Sequence, residues 1–137
     1  RQTVETDYLV LGSGLAGLSF ALRASEHGRV LVVTKRSPQE SNTHYAQGGV
    51  AGVLGPDDSP HMHVEDTLRV GDGLCHRDVV ELCVNQGPEH IVTLAETWGV
   101  AFDRKSDGQF ELGREGGHSA RRIVHAADAT GAAIQDA

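Results

Sequence analysis

A glycine-rich turn between two apolar runs is the feature of this chain that most restricts its fold. Residues 7–11 (DYLVL) are followed at once by GSGLAG, then by LSFALRASEHG, and then by residues 29–35 (RVLVVTK). An apolar run that stops at glycine predicts a buried parallel strand, and leucines at helical spacing predict a helix, with Gly28 as its C-terminal stop. The order strand, turn, helix, strand predicts a βαβ unit and therefore an α/β, Rossmann-like domain.

The glycines of this turn, Gly12, Gly14 and Gly17, form the pattern G-x-G-x-x-G. Gly12 permits the tight turn, Gly14 lets the backbone approach a pyrophosphate, and Gly17 lets the helix pack on the strand. The helix N-terminus adds free N–H groups and the positive end of the helix dipole. Because the pattern lies between a strand and a helix, we predict a dinucleotide-binding turn rather than a turn that binds nothing.

The end of the second strand leaves the identity of the dinucleotide open. An acidic residue about twenty positions after the first glycine usually holds a ribose hydroxyl, but this strand ends Val33-Thr34-Lys35. Lys35 is compatible with the 2′-phosphate of NADP. It is equally compatible with an FAD-binding variant in which the lysine neutralises phosphate or lies along the adenosine.

Charge and cysteine content exclude several classes of protein. Twelve basic and nineteen acidic side chains give a net charge of -7 in 137 residues, without a run of like charges, which disfavours a nucleic-acid or anionic-membrane binder. No apolar run reaches membrane-spanning length, and the N-terminus lacks the order of a signal peptide. Cys75 and Cys83 fit no zinc site or disulfide framework, so we expect small core residues in a soluble, cytoplasmic protein.

Beyond the βαβ unit, the sequence predicts a long irregular segment, covering helices and a hairpin. Residues 36–60 are rich in turn-forming residues and should carry little regular structure, as functional loops often do. Helices are predicted from about His63, over residues 77–86, and over residues 88–99 with Pro88 in the first turn. Residues 100–112 predict a hairpin around Asp107 and Gly108.

Several other polar residues receive structural interpretations. Asp128 or Thr130 is expected to cap a helix that follows residues 128–131 (DATG). Four histidines show no metal-ligand pattern, so no metal site is predicted and a surface position is expected for each: His61, His63, His76 and His90.

Two further clusters carry a family resemblance. They are residues 41–51 (SNTHYAQGGVA) and residues 114–131 (REGGHSARRIVHAADATG), and they follow GSGLAG and TK in order. Together these motifs resemble the flavoprotein family of succinate dehydrogenase, fumarate reductase and L-aspartate oxidase, and they are most similar to the L-aspartate oxidases. The resemblance extends from Asp7 to the last residue.

This resemblance implies an FAD site in which T-x-x-A-Q-G-G places small side chains and backbone N–H groups against the isoalloxazine ring. A polar surface loop is the alternative interpretation of that segment. The implied FAD-binding residues are Gly12, Ser13, Gly14, Leu15, Ala16, Gly17, Lys35, Asn42, Thr43, His44, Tyr45, Ala46, Gln47, Gly48 and Gly49.

A departure from the membrane-bound relatives concerns the link to FAD. Their flavoproteins generally carry a histidine bonded covalently to FAD just before the Thr of this motif, and here that position is Asn42. His44 is not that histidine, and its side chain is expected either to make a local hydrogen bond or to be exposed. The resemblance therefore implies non-covalent FAD.

A second departure concerns the substrate. Dicarboxylate-reducing relatives commonly read Phe-Gly-Gly where this chain reads Glu115-Gly116-Gly117. Aspartate has an α-ammonium that an acid can pair with, whereas succinate has none and would only be repelled. We therefore assign substrate binding to Glu115, Gly116 and Gly117. The alternative is a salt bridge from Glu115 to one of three arginines: Arg114, Arg121 or Arg122.

Two histidines and two arginines follow in the same cluster. Each of them could position the flavin or pair with an acid, and none is assigned a catalytic role. They are His118, Arg121, Arg122 and His125.

The resemblance implies oxidation of L-aspartate to iminoaspartate, with oxygen or fumarate as electron acceptor. It also implies quinolinate and NAD synthesis downstream, with quinolinate synthase as an expected partner. Family members are several hundred residues long, and their catalytic arginine lies in later segments. Residues 1–137 are therefore expected to be the N-terminal part of an FAD domain, inactive without the capping and C-terminal helical domains. Two alternatives remain: a fumarate reductase or succinate dehydrogenase flavoprotein, and a non-enzymatic dinucleotide-binding module.

Overall fold

The computed structural model describes residues 3–137. In these residues, five short strands form two small sheets, and four helices pack around the sheets. In chain order the elements are β1 (Tyr8–Leu11), α1 (Leu15–Ser25), β2 (Val30–Val33), β3 (Val50–Ala51), α2 (Pro60–Gly71), α3 (Arg77–Glu96), β4 (Leu112–Gly113), β5 (Ile123–Val124) and α4 (Thr130–Asp136). Across the described residues, no helix is both long and apolar enough to cross a membrane.

The predicted βαβ unit is confirmed. Strands β1 and β2 pair in parallel, with Tyr8 opposite Val30 and Leu11 opposite Val33. A side chain at Gly17 would overlap the carbonyl oxygen of Gly12, so the close packing of α1 on the turn requires glycine there. Helix α1 ends earlier than Gly28, with Glu26 as its C-cap residue.

A second sheet, which the sequence analysis does not predict, has the strand order β3-β5-β4 and is antiparallel. Val124 of β5 pairs with Val50 on one side and with Leu112 on the other. Each of these strands has only two residues, too few to show a period of two. The sheet brings Gly48 close to the side chain of Glu115, although the two residues are far apart in the chain.

Helix α3 differs from its prediction, since residues 77–96 form one helix rather than two. Proline lacks the N–H group for a helical hydrogen bond, which is why Pro88 suggested a new helix. However, Val84, Ile91 and Leu94 form one buried stripe that runs past Pro88. Ile91 and Leu94 belong to the main core, with Val100, Phe102, Val124 and Ala126, and this shared burial keeps the helix continuous.

Helix α2 begins three residues before the predicted start at His63. The hydroxyl of Ser59 accepts a hydrogen bond from the backbone N–H of Met62 at 3.2 Å, and Pro60 occupies the first helical position. Both are typical of a helix start.

The hairpin prediction is confirmed in a short form. The N–H of Lys105 donates to the Gln109 carbonyl at 2.8 Å, and Gly108 has a φ of +85°. Beyond the turn, Arg104 and Phe110 form a single β-bridge, and the Glu111 N–H donates to the Asp103 carbonyl at 2.9 Å.

The predicted caps of α4 are wrong, because neither Asp128 nor Thr130 caps the helix. Ala129 is the N-cap residue, and no side chain caps the helix. Thr130 is the first helical residue, and its buried hydroxyl accepts from the Ala126 N–H at 3.0 Å. That bond stabilises the turn before the helix instead.

Two expected placements are also wrong. Cys83 is exposed rather than in the core, because it lies beside the buried stripe of α3, whereas Cys75 is partly buried; both are free thiols. His63 is buried rather than at the surface, on the face of α2 that also buries Asp66.

Candidate functional site

A groove of about 760 Å³ lies at the carboxyl ends of β1 and β2. The crevice beyond the carboxyl ends of parallel strands is where α/β sheets bind dinucleotides. The groove brings together six of the residues that the sequence assigns to FAD, namely Gly12, Ser13, Gly14, Lys35, Asn42 and Thr43. Five more residues complete its lining: Leu11, Val33, Thr34, Glu40 and Ser41.

The turn at the head of the groove has the backbone geometry that its glycines imply. Gly12 has a φ of +105°, a conformation that side chains with a Cβ rarely adopt. Ser13 is buried, and its hydroxyl donates to the Pro38 carbonyl at 2.8 Å and lies 3.3 Å from the hydroxyl of Thr34. The side chain of Ser13 therefore holds the turn against the segment after β2.

Thr43 joins the start of α1 to the segment that is predicted to contact the flavin. Its hydroxyl accepts a hydrogen bond from the Leu15 N–H at 3.0 Å. On its other side this segment contacts α4, where the Gly131 N–H donates to the Ala46 carbonyl at 3.0 Å. A side chain at Gly131 would overlap the Thr43 carbonyl oxygen, so the close contact requires glycine.

His44 takes neither of the two placements considered for it. Its ring is half-buried and packs edge-on against Tyr45. Its Nδ1 atom is buried and has no hydrogen-bond partner in the described part of the chain. A buried polar nitrogen without a partner is unfavourable, so Nδ1 is available to a bound group.

The second sheet brings the substrate-assigned residues to the flavin-assigned segment. A Cβ atom at Gly48 would lie 3.9 Å from Oε1 of Glu115. The ring of His125 lies between β3 and β4. A Cβ atom at Gly49 would come within 2.9 Å of the His125 Nδ1 atom, and a Cβ atom at Gly113 would overlap the His125 Nε2 atom. Glu115, Gly48 and the neighbouring Gln47 are exposed.

These residues fit FAD. The groove is open at the N-terminus of a helix, where an anionic pyrophosphate is stabilised, and Lys35 at its edge is exposed. From the groove, an exposed backbone strip continues through Ala46 to Gly48. The orphaned nitrogen of His44 lies on the same segment.

The ion pair considered as an alternative role for Glu115 is not formed. Among the described residues, no arginine, lysine or histidine lies within 4.0 Å of its carboxylate. The Nε of Arg114 donates instead to the carbonyl of His118 at 2.9 Å. Arg122 points away from it, into the protein interior.

Arg122 is fully buried and pairs with two carboxylates. Its Nε and NH2 groups donate to Asp58 at 2.8 and 2.7 Å, and its NH1 group donates to Oδ2 of Asp66 at 2.9 Å. The side chains of Asp58 and Asp66 are 1% and 5% exposed. Arg122 is thus a structural cation, which the sequence analysis had left open.

The ionisation of Asp66 follows from this environment. Burial by itself would raise the pKa of Asp66. The backbone N–H and the hydroxyl of Ser119, together with the Arg122 guanidinium, outweigh burial and hold that pKa well below its ordinary value. Asp66 is therefore a carboxylate at neutral pH.

His63 lies against the same cluster. Burial lowers the pKa of His63, and the charges of Arg122 and His118 lower it further. The carboxylates of Asp58 and Asp66 oppose that decrease without cancelling it. The Nδ1 atom of His63 is buried without a partner among the described residues, and the ring lies 5.8 Å from that of His118.

The sequence analysis missed four residues of this cluster. They are Asp58, Asp66, Ser119 and Arg69, whose NH2 group donates to Oδ1 of Asp66. Asp66 follows His63 by three positions and so shares its helix face, but no motif marks it. A buried arginine needs carboxylate partners, yet the sequence does not show that Arg122 is buried.

The model of a family described as FAD binding domain matches residues 7–137. L-aspartate oxidase 2-b, chloroplastic, of Nicotiana tabacum is 51% identical over 131 residues, which cover 96% of this chain and 20% of that protein. The L-aspartate oxidase of Pseudomonas aeruginosa is 51% identical over 140 residues, covering 97% of this chain and 26% of that protein.

A solved structure agrees with these relatives. A variant of E. coli quinol fumarate reductase FrdA superposes with a TM-score of 0.91 at 35% identity, covering 99% of this chain and 24% of that one. The chain thus spans about a fifth to a quarter of the length of the relatives that it matches. Lys35 was compatible with either NADP or FAD, and the family match supports FAD.

Proposed function

The chain belongs to the FAD-binding domain family, and from this premise we propose that it forms the N-terminal part of the FAD domain of an L-aspartate oxidase. The proposed reaction converts L-aspartate to iminoaspartate, with oxygen or fumarate as the final electron acceptor. The proposal also includes further domains, a capping domain among them, that supply the catalytic arginine. Relatives named L-aspartate oxidase that are 51% identical support it.

The observation that carries the proposal is the position of the Glu115 carboxylate. It lies beside Gly48 of the flavin-assigned segment and makes no ion pair with the described residues. An exposed carboxylate at this place can accept hydrogen bonds from the α-ammonium of aspartate. Succinate offers no such cation, so Glu115 favours the amino acid.

The residues of the chain bind and orient the two reactants. Bound FAD supplies the electron sink that accepts a hydride from the substrate Cα. Thr43 and Gly131 fix the segment of residues 42–49 against α1 and α4, and Gly48 leaves room for the ring. Holding the reacting atoms in line supplies much of the rate enhancement in such a transfer.

Non-covalent FAD is part of the proposal. Asn42 lines the groove and has no atom suited to the covalent bond that a histidine makes. Precipitating the protein with acid should release all of the flavin into the supernatant. Yellow colour that stays in the pellet would contradict this part of the proposal.

The proposal extends to the location of the protein and to the use of its product. A cytoplasmic location is supported by the two free cysteines among the described residues. A role in NAD synthesis is in keeping with the name L-aspartate oxidase that the relatives carry, and delivery of iminoaspartate to quinolinate synthase stays a prediction.

The decisive experiment is an anaerobic reduction. The FAD-loaded full-length protein is mixed with L-aspartate and, separately, with succinate, and the flavin absorbance is followed. Bleaching by L-aspartate alone is expected, and Glu115→Gln should slow that bleaching strongly. Bleaching by succinate alone would overturn the proposal.

A fumarate reductase or succinate dehydrogenase type of activity is the second candidate. The TM-score of 0.91 to the E. coli fumarate reductase favours it. The acidic residue at position 115 speaks against it, because a carboxylate there would repel a dicarboxylate without an ammonium group. The same anaerobic experiment separates the two candidates.

A further inference from the structure

The turn that carries Glu115 is held from one side by helix α2. The backbone N–H and the hydroxyl of Ser119 both donate to Oδ2 of Asp66 at 2.7 Å. The NH2 group of Arg69 donates to the carbonyl of Gly117 at 3.2 Å and to Oδ1 of Asp66 at 2.7 Å. Two residues of α2 therefore hold this turn by hydrogen bonds, Arg69 at Gly117 and Asp66 at Ser119.

Asp66 is itself held firmly. Its carboxylate is 5% exposed and accepts from the buried Arg122, which is fixed in turn by two bonds to Asp58. Hydrogen bonds between charged groups are roughly twice as strong as those between neutral groups. The Asp66 carboxylate is therefore a fixed point of attachment for the turn that carries Glu115.

Within the turn, a backbone hydrogen bond connects the part held by Asp66 to Glu115. The N–H of His118 donates to the Glu115 carbonyl at 3.3 Å, and Gly117 adopts a φ of +86°. The Glu115 side chain is exposed and makes no ion pair with the described residues. Its position beside Gly48 thus depends on the backbone of the turn.

We propose that Asp66 and Arg69 are positioning residues that set the place of the Glu115 carboxylate and thereby the preference for an amino dicarboxylate over a plain dicarboxylate. This inference rests on the proposed function, since it assumes that Glu115 pairs with the substrate ammonium. Small displacements of a positioned group reduce a reaction rate by large factors.

The test uses Arg69→Gln in the FAD-loaded full-length protein. The Arg69 side chain is 65% exposed, so its loss should leave the fold intact, whereas a change at Asp66 would leave Arg122 with one carboxylate. We expect kcat/KM for L-aspartate to fall about tenfold, mainly through a higher KM, while FAD content stays unchanged. Arg69→Lys should recover part of the loss.

A matched control is available on the neighbouring helix. Arg77 of α3 is also exposed and also pairs with an acid of α2, Glu65, at 3.0 Å. In contrast to Arg69, it makes no hydrogen bond to the turn that carries Glu115. Arg77→Gln should therefore leave kcat/KM and KM for L-aspartate unchanged.

A double-mutant cycle decides whether Arg69 acts through Glu115. In a Glu115→Gln background, Arg69→Gln should have little further effect, because the group that it positions is already neutral. An equal loss in both backgrounds, no loss in either, or a loss of bound FAD would overturn the positioning inference alone.

The Glu115→Gln variant by itself distinguishes a failure of the positioning inference from a failure of the proposed function. If Glu115→Gln by itself leaves L-aspartate oxidation intact, the assigned role of Glu115 is wrong, and the positioning inference is overturned with it. If Glu115→Gln is impaired and the cycle shows coupling, both stand.

Discussion

The guanidinium of Arg122 donates to the carboxylate of Asp66 at 2.9 Å, although 56 positions separate the two residues in the chain. The pair joins β5 and the turn that carries Glu115 to helix α2. Since both side chains are almost fully buried, the pair belongs to the interior of the protein while it supports a site at the surface.

Removing the buried cation should destabilise the fold. Arg122→Leu leaves Asp58 buried without a counter-charge and Asp66 with Arg69 as its remaining cation, and breaking such a buried pair costs about 3–5 kcal/mol. The midpoint and slope of urea unfolding measure this cost. Arg121→Leu, an exposed neighbour, is the control and should change stability by about 0.5 kcal/mol or less. Equal effects of the two substitutions would contradict the buried role.

Stability should fall in mild acid because of His63. Its pKa in the folded chain lies below the ordinary 6.5, so below that pH the unfolded chain binds more protons than the folded chain. The free energy of unfolding should therefore decrease as the pH falls from about 6.5 towards the lower, folded pKa. Urea unfolding at a series of pH values measures the decrease.

The control for this pH effect is a histidine of the same helix. His63→Gln should remove the part of the decrease that His63 causes, whereas His61→Gln should preserve it, because His61 is exposed. A pH dependence that is unchanged in His63→Gln would assign the effect to a group other than His63.

A side chain at Gly131 should separate α4 from the flavin-assigned segment. The added Cβ of Gly131→Ala would overlap the Thr43 carbonyl and lie 2.8 Å from the Ala46 carbonyl, and backbone atoms cannot turn aside. We expect lower thermal stability and weaker FAD binding, measured by thermal unfolding and flavin titration.

Gly87→Ala is the matched control, since it also adds a methyl group to a helix. Its nearest atom outside the helix would be the Ala51 carbonyl oxygen at 3.9 Å, an ordinary contact. Alanine is preferred in helices by roughly 0.5–1 kcal/mol, so this variant should be as stable as the parent or more so. A Gly131→Ala variant that behaves in the same way would rule out the tight contact.

Lys35 should contribute to FAD affinity through its charge. Lys35→Gln is expected to raise the dissociation constant for FAD by about fivefold at low salt, with a smaller effect at high salt because the side chain is exposed. Lys105→Gln, in the hairpin away from the groove, is the control. Fluorescence titration of the apoprotein at two salt concentrations measures both, and salt-independent loss would exclude a simple charge effect.

The sequence by itself determined the βαβ unit, the dinucleotide-binding turn and the hairpin. These depend on interactions between residues that are close in the chain, and their glycines and apolar runs can be read without knowing the rest of the fold. The resemblance carried by four separated motifs likewise indicated the FAD-binding family that the comparisons support.

Only the tertiary structure decided which distant segments meet and which charges are buried. The continuity of α3 past Pro88, the three two-residue strands and the burial of His63 all depend on packing against remote residues. So does the anchoring of the Glu115 turn by Asp66 and Arg69. Local propensity carries no record of these contacts, because burial and ion pairing arise only after the chain has folded on itself.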